Sequence, residues 1–251
     1  MGECRDPDKK KAWFFCVDAR SGKVLWEGIH LSEDWWVGME TIHRGVLILH
    51  GFAQPDLPEH KGLTAVDLDS GTILWHSDGL TFWFIDGDTV YGYRPTAERR
   101  IACALSLRTG AVEKEFREDI DALFGLQSRS IPEAAALVFP RIFGEEPLEG
   151  PHRDLIEKKL RRDRTEGNVE FVDHHGLLIV SRHERESVEP GSGVLRNLLD
   201  VVRVEDGRTV YSDTMSRGRS SPVPDSFFLH DGFVYYVKDQ SILIAVNLWK
   251  S

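Results

Sequence analysis

The sequence predicts an all-β, β-propeller-like fold of four or five four-stranded antiparallel blades with one helical insert. Three observations predict it. A ten-residue pattern recurs, clearest as Val17-Asp18-Ala19-Arg20-Ser21-Gly22-Lys23-Val24-Leu25-Trp26 and Val66-Asp67-Leu68-Asp69-Ser70-Gly71-Thr72-Ile73-Leu74-Trp75. A second family of hairpins alternates with the first. The turn glycines of the first pattern recur at intervals of 49, 39 and, once residues 119–166 are set aside, 49 residues, a spacing typical of four-stranded propeller blades.

Each copy of the first pattern reads as a strand, a tight turn closed by Gly and a second strand ending in Trp. One such hairpin cannot bury its own apolar face, so it must stack on its neighbours. Weaker copies run over Leu105–Val112 and Val202–Tyr211, which places the turn glycines at Gly22, Gly71, Gly110 and Gly207. The second hairpins are marked by Arg44-Gly45, Asp86-Gly87, His175-Gly176 and Asp231-Gly232, each between β-rich runs. X-Gly at such a place signals a tight turn because Gly accepts positive φ. In the first full unit, strands are expected over 35–39, 46–52, 63–67 and 72–76. Ala245-Val246-Asn247-Leu248 echoes Ala65-Val66-Asp67-Leu68. The hairpin over 12–29 and the strand over 241–251 are therefore expected to pair or to lie in adjacent blades and close a ring. Four second-type hairpins against five third-strand segments leave the blade number at four or five.

Residues 1–251 are read as one domain, interrupted by the insert at 119–166. That insert carries Pro132, Pro140, Pro147 and Pro151 and two helix-like stretches, Glu133–Phe139 and Arg153–Arg164. The second has Leu155, Ile156 and Leu160 on one side and Lys158, Lys159, Arg161, Arg162 and Arg164 around the other, as a short amphipathic helix would.

Composition narrows the function classes. Over 251 residues, 41% are hydrophobic and 29% charged, which suits a globular protein with a substantial core. The net charge of −10 argues against non-specific nucleic-acid binding and against adhesion to anionic lipid. Cys16 and Cys103 fall in apolar runs and Cys4 in a charged N-terminal tail, so no disulfide framework is expected. No signal-like or 18-residue apolar stretch occurs, and a cytoplasmic location is expected.

The repeat resembles that of the quinoprotein-dehydrogenase-like propellers, a resemblance carried by Ala65, Asp67, Gly71 and Trp75 and by Asp18, Gly22 and Trp26. It extends over about 200 residues outside the insert, and the chain looks like a bacterial family of this type. Ser106 and Lys114 depart from the pattern in the third copy, and Tyr211 replaces Trp in the fourth. The resemblance implies that the Trp packs between blades and that the Asp caps turn amides. It implies no cofactor here, because the quinone-binding enzymes use adjacent cysteines and this chain has none.

Candidate functional residues follow from the same frame. Trp35, Trp36 and Trp83 lie near first strands of blades, where aromatic rings at a channel mouth could stack on a ligand; core packing is the plainer reading for each, and one of Trp35 and Trp36 is expected to be core. Glu170 and Asp173 on the corresponding strand of a later blade are candidate ligand or acid–base groups. Lys158, Lys159, Arg161 and Arg162 form a basic cluster that could dock an acidic partner; a solvated helix face is the plainer reading. His43, His50, His60 and His76 fall in one blade without metal-ligand spacing, so a metal site built from them would depend on how the strands bring them together; His174-His175 points to opposite faces of a strand, and no metal site is expected. No nucleotide-binding, nucleophile-elbow or zinc-protease motif occurs. The expectation is a non-catalytic ligand-binding or protein-interaction module whose partner is a protein or small molecule, neither nucleic acid nor membrane. An enzyme with a site at the channel mouth is the alternative.

Overall fold

The computed structural model describes residues 1–54, 58–95, 100–117, 120–130, 137–145, 148–160, 164–186 and 193–248. The chain is all-β and propeller-like, built from antiparallel sheets of consecutive strands. Its residues fall into two compact units, Met1–Ala134 and Ala135–Ser251.

The first unit holds three sheets. β1 (Gly2–Asp6), β2 (Lys11–Val17) and β3 (Val24–Ile29) form the first. The charged N-terminal segment is therefore a strand, with Cys4 opposite Trp13. β4 (Val37–His43), β5 (Val46–Phe52), β6 (His60–Asp67) and β7 (Ile73–Ser77) form the second, and β8 (Thr81–Asp86), β9 (Thr89–Pro95), β10 (Arg100–Ser106) and β11 (Val112–Phe116) the third. Helix α1 (Ile120–Gln127) follows. Trp35 and Trp36 precede β4 rather than begin it, and both are half-buried, so neither is a core residue.

The second unit holds a five-stranded sheet of β12 (Arg141–Ile142), β13 (Thr165–His174), β14 (Leu177–Arg185), β15 (Leu195–Arg203) and β16 (Thr209–Arg219). Helix α2 (Pro151–Lys159) stands between β12 and β13. A final sheet joins β17 (Phe227–His230), β18 (Phe233–Lys238) and β19 (Ile242–Asn247). Most of the expected helix at Glu133–Phe139 lies outside the described residues; its end is not helical, since Val138 bridges Leu229 in extended pairing. Helix α1 has no counterpart in the sequence reading.

The repeat makes the junctions between sheets in the first unit. In each motif the Asp side chain accepts a turn amide: Ser21 N donates to Asp18 Oδ1 at 2.7 Å and Ser70 N to Asp67 Oδ1 at 3.0 Å. The Trp of one motif then lies on the turn Gly of the next. A Cβ on Gly71 would stand 2.7 Å from Trp26 Cγ, and one on Gly110 2.6 Å from Trp75 Cγ. Both glycines also sit at positive φ, 72° and 66°, where other residues are strained. Each indole donates past the glycine to a carbonyl of the next sheet, Trp26 Nε1 to Leu68 O at 2.7 Å and Trp75 Nε1 to Leu107 O at 2.8 Å. In the second unit Leu155 of α2 covers the turn at Gly207 instead, its Cδ2 3.1 Å from the would-be Cβ. Its neighbour Ile156 is fully buried among Phe171, Leu178 and Val180.

Trp75→Ala is expected to destabilise the fold by about 3–5 kcal/mol, as large-to-small core changes do. Gly110→Ala should also destabilise, through strain and collision with the same indole. Denaturant melts of both variants check this, and a loss under about 1 kcal/mol for Trp75→Ala would leave the junction without its assigned role.

Candidate functional site

Strand irregularities in the first unit gather the chemically interesting side chains. In the β4–β5 ladder the register slips between Met39 and Thr41, which leaves Glu40 as an extra, unpaired residue. In the β5–β6 ladder His50 faces Leu63 and Gly51 faces Lys61, so Gly62 is extra there, at φ 82°. In the β8–β9 ladder Trp83 is left over between Phe82 and Phe84. Bulges of this kind bend a strand and re-aim a side chain, and they are frequent beside functional sites.

The first two bulges bring Glu40, His50 and His60 together. Glu40 Oε2 is 2.8 Å from His50 Nδ1 and 2.9 Å from His60 Nδ1. The two imidazoles are stacked, with centroids 3.5 Å apart and planes 9° from parallel. Phe52 meets both edge-on, and Trp36 meets Phe52 in turn. His60 shares a hydrogen bond with the carboxylate, whereas His50 is close to it but poorly aligned, so neither ring nitrogen of His50 makes a hydrogen bond. His50 is only 6% exposed, so its Nε2, which finds no partner, is left unpaired at a cost of about 1–3 kcal/mol. Gly38 makes room for that ring, since a Cβ there would be 2.9 Å from His50 Nε2. Burial pushes the Glu40 carboxyl up, but its contacts with His50 and His60 outweigh this and hold it below the usual carboxylate range.

Trp83, at the third bulge, borders two clefts. One, of about 350 Å³, is walled by Phe82, Trp83, Tyr93, Arg100, Ile120 and Phe124. The other, of about 530 Å³, runs from Glu40 and His43 to Trp83 and Gln127. Trp83 Nε1 donates to Gln127 Oε1 at 3.0 Å, and Phe124 of α1 meets the indole edge-on at 5.1 Å. The Arg100 guanidinium lies over the Tyr93 ring at 4.7 Å. Trp35 is placed differently: Arg5 and Lys10 lie over its ring at 5.0 and 4.8 Å, and Arg5 Nη1 donates to its carbonyl.

Glu170 and Asp173 belong to the second unit, on opposite faces of β13. Glu170 is buried and accepts Asp225 N at 2.6 Å and Ser226 N at 3.1 Å, so it anchors the loop before β17. Asp173 is exposed and lies 3.2 Å from His152 Nε2. In the basic cluster Lys158 faces solvent. Lys159 Nζ turns inward, donating to Thr209 Oγ1 at 2.6 Å and lying 3.5 Å from Asp200 Oδ2. Arg161 and Arg162 lie outside the described residues.

The reading of residues alone missed the Glu40–His50–His60 cluster, because it depends on two bulges that no spacing reveals. Glu40 carries no local signal, and His43 and His76 are engaged elsewhere, with Gly87 O at 2.8 Å and Asp78 Oδ1 at 2.7 Å.

A family model described as a domain of unknown function (DUF4905) matches residues 1–75. No curated protein matches the chain. Among solved structures, a europium-containing methanol dehydrogenase is 12% identical with a TM-score of 0.28, over 95% of this chain and 49% of that one. Hsv2 of Kluyveromyces lactis is 8% identical with a TM-score of 0.26, over 98% and 73%. Sqt1 of Saccharomyces cerevisiae is 10% identical with a TM-score of 0.25, over 94% and 66%. The chain thus spans about half the length of the dehydrogenase. At these scores none of the solved structures bears on function.

One pH effect follows from the loop that Glu170 anchors. His183 is buried and accepts Val223 N at 3.1 Å, and burial holds its imidazole below the usual histidine range. Above about pH 6.5 the ring is neutral folded or unfolded and adds no pH dependence. Below it the unfolded chain takes up a proton that the folded chain refuses, so stability falls until the lower folded value is reached. Thermal melts at pH 7.5 and 5.5 should show a smaller drop for His183→Gln than for the unaltered protein.

Proposed function

We propose that the chain is a non-catalytic binding module on a propeller-like scaffold, and that it takes a planar, negatively charged small molecule in the cleft beside Trp83. The observation that carries this is the company Trp83 keeps. A bulge turns the indole out of the strand ladder, Phe124 stands beside it 53% exposed, and Arg100 lies across the cleft on Tyr93. A cleft of this volume, apolar with one cation, suits a flat anion. The repeat explains Trp26 and Trp75 as junction residues, in line with the resemblance to quinoprotein-dehydrogenase-like repeats, but it does not explain Trp83. An acidic chain whose three cysteines are free fits a reducing, cytoplasmic setting.

Thermal-shift and ligand-observed NMR measurements with a panel of aromatic carboxylates and their neutral amides test the reading. The carboxylates should bind, Trp83→Ala should weaken them at least tenfold, and Arg100→Gln should erase the preference over the amides. If no panel member binds, or if binding survives Trp83→Ala unchanged, the cleft is not the site.

A further inference from the structure

We propose that Glu40, His50 and His60 form a binding site for one divalent metal ion of the zinc class. The three offer one carboxylate oxygen and two imidazole nitrogens, with the ligand atoms all within 4.8 Å of one another. This is the nitrogen–oxygen donor set that suits zinc and its neighbours rather than magnesium or calcium, which prefer oxygen alone.

The distances fit a site that closes on itself without metal. Ligand atoms about 2.0–2.1 Å from a tetrahedral ion are about 3.3 Å apart from one another. Here the carboxylate oxygen is 2.8 and 2.9 Å from the two Nδ1 atoms, so the pairs need to open by roughly half an ångström, and the His60 ring must turn out of its stack on His50 for both nitrogens to aim at one ion. Glu40 can supply that movement because a bulge residue is free of ladder hydrogen bonds, and His60 is 35% exposed. His50 is the fixed member, buried against Gly38.

A second observation points to a ligand. His50 is more than nine-tenths buried and faces the cluster; its Nδ1 has only a poorly aligned contact with the Glu40 carboxylate at 2.8 Å, and its Nε2 finds no partner. Buried polar atoms are well paired in nearly all proteins, and a metal bond at Nδ1 would replace that poorly aligned contact with a directed one. The carboxylate between two imidazoles also provides the negative charge that makes a cation welcome. Three protein ligands leave a fourth position for water or another donor, the pattern of zinc sites that are not sealed. Glu40 borders the larger cleft as well, so an ion held there would sit beside the space that Trp83 shares.

The inference stands apart from the proposed function, since a metal can bind with or without an aromatic anion. Calorimetric titration of the chelator-stripped protein with zinc chloride tests it, supported by cobalt(II) absorption to report a low-symmetry nitrogen–oxygen site. The expected result is one ion per chain, with affinity reduced at least tenfold in both Glu40→Gln and His60→Ala and retained in His76→Ala. Magnesium and calcium should not compete. Circular dichroism of each variant establishes that it is folded; His50→Ala is avoided as the main test because it opens the core. Absence of one-to-one zinc binding by the unaltered protein, or equal binding by Glu40→Gln and His60→Ala, would overturn the site.

Discussion

The fold of the first unit depends on one contact made twice, an indole laid on the backbone of a glycine turn. The same ten residues build both halves of it. Asp and Gly shape the turn that receives, and Trp at the motif's end supplies what is received. Because the indole also donates to a carbonyl of the facing sheet, the junction has direction as well as area. A buried indole contributes a few kcal/mol through apolar burial, and its hydrogen bond sets where the next sheet must stand. The glycine is required twice over, by its positive φ and by the absence of a Cβ where the ring rests.

The second unit is stabilised by other means. In β14 and β15 the side chains of Arg182, Glu184 and Asp200 are almost wholly buried and joined by ion pairs of 2.9 and 2.6 Å. Burial raises the Glu184 and Asp200 carboxyls, but the hydrogen bonds and charges around them prevail and keep both below the usual range. Arg196 closes the network on the far side of Glu184 at 2.9 Å. A pair of this kind adds little net stability over an apolar one, yet losing one partner typically costs about 3–5 kcal/mol. Its members are therefore interdependent in a way that surface charges are not.

The sequence made the strand layout legible because hairpin signals are local. Asp-x-x-x-Gly and X-Gly each declare a turn, and β-rich runs on either side have nowhere to go but antiparallel. The expected strand over 46–52 coincides with β5, and those over 63–67 and 72–76 overlap β6 and β7. What was not legible shares one physical cause: it depends on what lies across a ladder. The charged segment at 2–6 becomes a strand only because β2 offers it an edge. The Glu40–His50–His60 cluster depends on two register slips, and strict alternation along β4 gives no reason to pair Glu40 with His50. The sequence marks Trp83 as an aromatic near a first strand, but not as a bulge residue. Glu170 stands out in the sequence only for its charge, and its commitment to two loop amides depends on where that loop lies.

Helix α2 has the sequence of a dispensable excursion, rich in charge and introduced by proline. Its contacts give it a different standing, since Leu155 shields a turn and Ile156 is a full member of the core beneath. Trimming the loop to shorten the chain, or grafting a tag into it, would lay Phe171, Leu178 and Val180 bare as one continuous apolar surface. Surfaces of that kind recruit chaperones and seed aggregates. Poor expression of such a variant would therefore report a lost lid over the core, and would say nothing about a lost partner.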